Sequence, residues 1–250
     1  MPAARQVAAW EGGPAYLEPG KPRSFPDWVK PRALEEAVRV SWLGHAMFLL
    51  EDGTGNRLVT DPYGEGVGYS LPSVEAGIVL VSHDHFDHGN VNLVRGNPVV
   101  IREAGSHEAG GIPITGFPTF HDASGGKERG QNIVYRWKMQ GLTFVHLGDL
   151  GHLLDPDLAS SLKGPDVLFV PVGGTFTIDD AQAATLVEEL APRVAVPMHY
   201  RNSGCSFPIL TEEPFVSRFA RVKRVGKSPV YLAPEDLPEP TLVLVMDFIS

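Results

Sequence analysis

One run of seven residues, Ser82-His83-Asp84-His85-Phe86-Asp87-His88, places three histidines and a carboxylate at offsets 0, 2, 4 and 5 from His83. Neutral imidazoles and carboxylates are good ligands for borderline divalent metals. Alternation sets His83 and His85 on one side of the turn and leaves Asp87 and His88 for a second ion. Burying this many titratable groups without a metal would be costly. One segment cannot close two metal sites, so further ligands must come from elsewhere. His121 follows Pro118-Thr119-Phe120, Asp149 follows the run Leu142–Leu147 and Gly148, and His199 follows Val194-Ala195-Val196-Pro197-Met198. Each stands at the end of an apolar run, the usual place for ligands on a rigid scaffold.

Those ligands need elements to carry them. Short β-rich runs alternate with turns at Val38–Trp42, Ala46–Glu51, Arg57–Thr60, Gly77–Val81, Pro98–Ile101, Asn132–Lys138, Leu142–Leu147, Val167–Val170, Val194–Pro197 and Leu242–Met246. Helices fit Asp155–Leu162, with Pro156 in its first turn, Asp179–Leu190, with Asp179 or Asp180 as N-cap, and Thr211–Phe219. Many strands with a few helices suggest sheet layers covered by helices. Residues 1–37 differ: six prolines and the aromatics Trp10, Tyr16, Phe25 and Trp28 read as an extended arm, with 38–250 as one domain.

Composition bounds the partners. The chain has 250 residues, 43% of them hydrophobic, so a packed core is expected. A formal charge of −9 argues against a nucleic-acid partner. The single cysteine, Cys205, excludes an internal disulfide and reads as a buried thiol. The apolar stretches are strand-sized and the opening residues lack a signal-length apolar run, so no membrane partner and a cytoplasmic location are expected. Oligomeric state is left open, a homo-oligomer included.

The order Asp61, His83-x-His85-x-Asp87-His88, His121, Asp149, His199 resembles the metallo-β-lactamase superfamily over about residues 38–205. The resemblance implies an α/β (α+β) fold, an αββα sandwich of two pseudo-symmetric halves with a dinuclear site at one edge. It implies that His83, His85 and His121 hold one metal, that Asp87, His88 and His199 hold the other, and that Asp149 bridges them. Asp61 would accept hydrogen bonds that orient the ligand loop. Finer texture is similar to a Zn-dependent hydrolase branch related to ascorbate-6-phosphate lactonase. It comprises Trp42-Leu43-Gly44-His45, His121-Asp122 with Gly125-Gly126 and Arg129-Gly130-x-Asn132, His146-Leu147-Gly148-Asp149-Leu150-Gly151-His152, Pro171-Val172-Gly173-Gly174-Thr175 and Pro197-Met198-His199-Tyr200.

Two adjacent divalent ions hold a bridging water and lower its pKa towards neutrality. The expected activity is therefore hydrolysis of a small lactone, ester, amide or phosphodiester by a bridging hydroxide. Zn is the first choice of metal, and the same ligands accept Mn, Fe or Ni. An iron-dependent oxidoreductase or thioester hydrolase of the same fold is one alternative, and a non-catalytic metal-binding module is another. Asp149 stands where common di-zinc β-lactamases carry Cys, which argues against that activity. Asp61, Asp87 and His152 are the catalytic candidates, His152 as a proton donor to the leaving group. His45, Arg129 and Tyr200 are candidate substrate contacts, each weighed against a structural role, and His146 reads as a core histidine. Specificity is expected in the arm, a 102–131 loop and the C-terminal segment.

Overall fold

Strand alternation builds two cores from one sheet. Along Met47–Glu51, Phe48 and Leu50 face one apolar cluster while Met47 and Leu49 face another, as the two-residue period of a strand requires. The computed structural model describes residues 35–226 and 229–249. The expected arm therefore lies, apart from residues 35–37, outside the described residues. In chain order the first strands are β1 (Val38–Gly44), β2 (Met47–Glu51), β3 (Arg57–Thr60), β4 (Val74–Glu75), β5 (Ile78–Leu80), β6 (Val94–Arg95) and β7 (Val99–Ile101). Then follow β8 (Gly105–Ala109), β9 (Ile112–Phe120), β10 (Gln131–Met139), β11 (Leu142–His146), β12 (Val167–Pro171), β13 (Val194–Met198), β14 (Val222–Arg224), β15 (Val230–Leu232) and β16 (Leu242–Val245).

A six-stranded sheet has the order β15-β1-β2-β3-β5-β7 and an eight-stranded sheet the order β14-β16-β13-β12-β11-β10-β9-β8; β4 and β6 form a small pair. The two large sheets pack face to face. Phe48 of the first lies 4.3 Å, ring centroid to centroid, from Phe169 of the second, and Trp137, Phe144 and Phe169 stack nearly parallel beside them.

Helices α1 (Pro156–Leu162), α2 (Asp180–Leu190) and α3 (Glu213–Val216) are associated with the second half of the chain, and α2 packs on β12. Both longer helices start where their caps put them. The Asp155 carboxylate accepts from Leu158 N at 2.9 Å. Asp179 and Gln182 exchange the two bonds of a capping box. The outer face of the first sheet is covered differently. Tyr63, Val67, Tyr69, Val74 and Val94, from the connections between β3 and β7, form its apolar cover. The expected sandwich is present, with helices on one outer face and irregular chain on the other among the described residues.

All ten β-rich runs are strands, to within two residues at each end. The expected 102–131 loop is corrected. Most of it is the β8–β9 hairpin, paired from Gly105↔Gly116 to Ala109↔Ile112, with loop at 102–104 and 121–130. Gly110 and Gly111 serve its turn with φ of 58° and 73°. The third helix is shorter than expected, four residues, with Pro214 in its first turn.

Candidate metal centre

The ligand candidates all hang from strand ends at one edge of the sandwich. Asp61 follows β3 and Ser82–His88 follow β5, parallel neighbours in the first sheet. His121 follows β9, Asp149 follows β11 and His199 follows β13 in the second. His45 lies in the turn between β1 and β2. Three of these residues hold left-handed backbone, His45 (φ 53°), Asp61 (φ 36°) and His199 (φ 51°). Such angles are uncommon for side chains larger than glycine and gather at functional sites. Gly148 brings the Asp149 turn against the ligand loop. A Cβ there would lie 2.3 Å from Asn132 Oδ1 and 2.6 Å from Ser82 Cβ, so only glycine fits.

One carboxylate oxygen is the centre of the cluster. Asp149 Oδ2 lies 3.2 Å from His88 Nε2, 3.2 Å from His199 Nε2, 3.3 Å from His121 Nε2 and 3.9 Å from His83 Nε2. The Asp149 backbone is fixed by N–H donation to Asn132 Oδ1 at 2.9 Å. Potential ligand atoms of His83, His85 and His121 lie within 4.8 Å of one another, and so do those of His45, Asp87, His88 and His199. Nε2 of His83, His88 and His199 and Oδ1 of Asp149 are buried without a hydrogen-bond partner. A native fold rarely leaves so many buried polar atoms unsatisfied in one place. Their lone pairs converge, and that donor set fits divalent metal.

Asp61 sets the direction of two rings. It accepts from Ser82 N and Ser82 Oγ, both at 2.7 Å, and lies 3.0 Å from His88 Nδ1. Because Ser82 gives its hydroxyl proton to Asp61, His83 Nδ1 donates to Ser82 Oγ at 2.9 Å. His83 thus carries its proton on Nδ1 and turns a bare Nε2 towards Asp149, while His88, held through Nδ1 by Asp61, turns its own Nε2 to the same carboxylate. Burial alone would raise the Asp61 carboxyl, but the His88 hydrogen bond and charge outweigh it and hold the group below its ordinary range. Burial, with His88 next, pushes His83 down to about 3, which keeps its lone pair free. For Asp149, burial is outweighed by His199 and His88, which hold its carboxyl well below the usual range.

The profile of the Beta-lactamase superfamily domain matches residues 39–199. The chain belongs to the metallo-β-lactamase superfamily. A UPF0173 metal-dependent hydrolase of Archaeoglobus fulgidus is 30% identical over 209 residues, 71% of this chain and 87% of the relative. Another, from Pyrococcus abyssi, is 33% identical over 194 residues, 66% of this chain and 85% of the relative. The solved structure of a candidate Zn-dependent hydrolase of the metallo-β-lactamase superfamily from Thermotoga maritima is 36% identical, with a TM-score of 0.71 over 85% of this chain and all of that one. A metallo hydrolase from Ignicoccus hospitalis, 22% identical with a TM-score of 0.55 over 73% of this chain and 91% of its own, shares the fold. Like its relatives, this superfamily member is a metal-dependent hydrolase.

The candidate substrate contacts of this metallo-β-lactamase-fold chain separate. Arg129 lines a cavity of about 410 Å³ whose floor includes His85, Asp87, His121 and Asp149. His45 does not line it. It is fully buried, with Nε2 3.2 Å from Asp87 Oδ2 and its ring 4.0 Å from that of His199. Burial, then His199, pushes His45 to about 3; a neutral ring donating to Asp87 fixes that carboxylate. Tyr200 is buried against Trp42 at 5.2 Å and donates to Met246 O at 3.3 Å, lining a different hollow. His152 is not brought into the cluster. Its Nε2 accepts from Phe120 N at 3.2 Å and its Nδ1 donates to Leu153 O at 2.7 Å, so backbone occupies both ring nitrogens. His146 is the expected core histidine, bonded to Ala46 O at 3.0 Å. No described helix is long and apolar enough to cross a membrane.

Sequence reading did not single out Ser82, Asn132, Asp122, Phe86, Phe176 or Phe207. Ser82, Phe86, Asp122 and Asn132 were visible only as parts of motifs, and Asp122 has a clear task. Its carboxylate accepts from the backbone N–H of Ser124, Gly126, Glu128 and Arg129 at 2.8–3.0 Å and shapes the loop that carries Arg129.

Asp61→Asn should weaken metal binding by about 10–100-fold, the usual effect of losing a partner that orients metal ligands. Competition against a chromogenic chelator reads this directly. Ser82→Ala, which leaves the Asp61–His88 bond intact, should cost less. An Asp61→Asn protein with wild-type metal affinity would remove Asp61 from this role.

Proposed function

We propose that the protein is a dinuclear metallohydrolase of small ester, lactone, amide or phosphodiester substrates. The observation that carries this reading is the meeting of two histidine-rich groups at a single carboxylate, Asp149. His83, His85 and His121 would hold one ion, and Asp87, His88 and His199 the other, with Asp149 between them. Divalent ions bound there lower the pKa of water towards neutrality and polarise a scissile carbonyl or phosphoryl group. The protein's own residues supply position and proton handling. Asp61, through Ser82 and directly, aims the His83 and His88 rings. Asp87, whose carboxylate reaches the cavity, takes the proton released on attack, and His45 holds that carboxylate in place. Zn is the metal the ligand chemistry favours first, and Mn, Fe and Ni remain compatible with it.

Metal analysis tests this. Protein purified without chelator or nickel affinity resin should carry close to two equivalents of divalent metal per chain. His85→Ala should lower that content and abolish ester and phosphodiester turnover. His85 is the ligand candidate to change because its exposure leaves folding intact. Wild-type protein that takes up no metal on titration would overturn the dinuclear reading. A His85→Ala variant with full content and activity would overturn the assignment of the first ion.

A further inference from the structure

The cavity above the cluster has walls that the hydrolytic chemistry does not need. Phe86, Phe176 and Phe207 stand around it, gathered from segments 90 and 31 residues apart in sequence. They touch one another edge to face. Phe207 lies 6.2 Å from Phe86 and 6.1 Å from Phe176, at interplanar angles of 63° and 76°. It also meets the buried His45 ring at 5.5 Å. Phe86, inside the ligand motif itself, is 60% exposed. An aromatic wall left open beside a reactive centre marks a surface that an apolar ligand covers.

Among the described residues one cation faces that wall. The Arg129 guanidinium lies 5.5 Å from the centroid of Phe176. Its carboxylate neighbour, Glu128, is 3.9 Å away and two-thirds exposed, a loose pair that leaves the guanidinium free for a ligand. The four backbone bonds to Asp122 hold the loop beneath it. A guanidinium placed this way reads a carboxylate or phosphate. Among the described residues the lining contains no Ser, Thr, Asn, Gln or Tyr. Apart from the candidate metal ligands, Arg129 is the one hydrogen-bonding side chain among the described lining residues, so a polyol or sugar ring would lose its water there and find few partners in return.

We propose that the site takes an anionic ester or lactone whose bulk is aromatic or otherwise apolar, its anion on Arg129 and its apolar part against Phe86, Phe176 and Phe207. This rests on the hydrolase reading above and narrows its substrate class. It sets aside sugar-phosphate lactones as substrates. In the reaction, water's oxygen bonds to the acyl carbon, the acyl–oxygen bond breaks, and the departing oxygen takes a proton.

Two measurements test it. The first is calorimetric binding of 2-naphthoate, 2-naphthamide and gluconate to metal-loaded and to chelated protein. Naphthoate should bind both forms at least about tenfold more tightly than gluconate. Arg129→Gln should weaken naphthoate by about tenfold and leave naphthamide unmoved, and Phe176→Ala should weaken both. The second is turnover of mono-2-naphthyl succinate against glucono-δ-lactone. The naphthyl ester should be favoured about 100-fold in kcat/KM, with Arg129→Gln acting on KM. Gluconate binding as tightly as naphthoate, or naphthoate binding indifferent to both substitutions in folded variants, overturns the proposal. Binding to the chelated protein keeps the two readings apart. Metal and turnover without naphthoate selectivity sinks the proposal alone. Naphthoate selectivity in a protein that holds no metal sinks the hydrolase reading alone.

Discussion

Asp149→Asn should strip the protein of at least one metal equivalent and reduce hydrolysis far beyond the 10–100-fold typical of an outer partner. The substitution keeps volume, so the change is one of charge and lone pairs, not of packing. Four histidine nitrogens lie within 3.9 Å of the oxygen concerned. An amide at that point either turns its N–H₂ towards rings whose bare nitrogens are already aimed inwards, or presents a neutral oxygen where a negative one is needed. Neither holds two cations together. In the metal-free protein the same change removes the charge that, after burial has worked the other way, raises His88 well above its ordinary value. Metal content by mass spectrometry and turnover on the same sample check the prediction. Two retained equivalents at wild-type affinity would falsify the central position given to Asp149.

Removing the metals should cost the fold heavily. Ligand that binds only the native state stabilises it by about 2.7 kcal/mol at a free concentration 100-fold above Kd. Two such sites give roughly 5 kcal/mol. For a chain of this size each kcal/mol moves Tm by about 2–4 °C, so chelation should lower Tm by about 10–20 °C, and added Zn should restore it. The buried groups give the physical reason. Without an ion, the unpartnered Nε2 atoms and Asp149 Oδ1 face one another across a desolvated space. Differential scanning calorimetry with and without chelator measures the shift. An unchanged Tm in protein shown to be metal-free would mean that the histidine cluster is self-sufficient.

How much of this could be read from the chain follows from where the information resides. The apolar runs that became β1, β5, β11 and β13 are bounded by turn residues, and the first candidate site residue after each sits one to three residues past it. Period and punctuation are local properties, so the strands were legible, and with them the candidate ligands that the fold gathers at one edge. The hairpin β8–β9 was not. Gly105, Gly116, Pro113 and Pro118 are unfavourable inside a strand, and only the pairing of β9 with β10 overrides that preference. The helix at 213–216 was overextended because two glutamates mimic a first turn, while Pro214 and the packing of Phe215 decide its length. His45 was legible as a site residue but not as the partner of Asp87, because a contact across 42 positions leaves no trace in spacing. The three phenylalanines are the same case. Each alone resembles a core residue, and only the folded loops bring them around one cavity.

The edge that carries the ligands also imposes an order in time. His83, His85, Asp87 and His88 emerge from the ribosome long before His199, and β1 must wait for β15, whose Val230 and Leu232 pair with Val40 and Val38. At about 5–20 residues per second, the early histidines are exposed for several seconds with no sheet opposite them. Metal captured then would sit in a half-built site, and only docking of the second sheet brings Asp149 and His199 within reach. Stable metal retention would therefore wait for the second half of the chain, and a timed pulse of radioactive zinc would report the moment at which the two halves close.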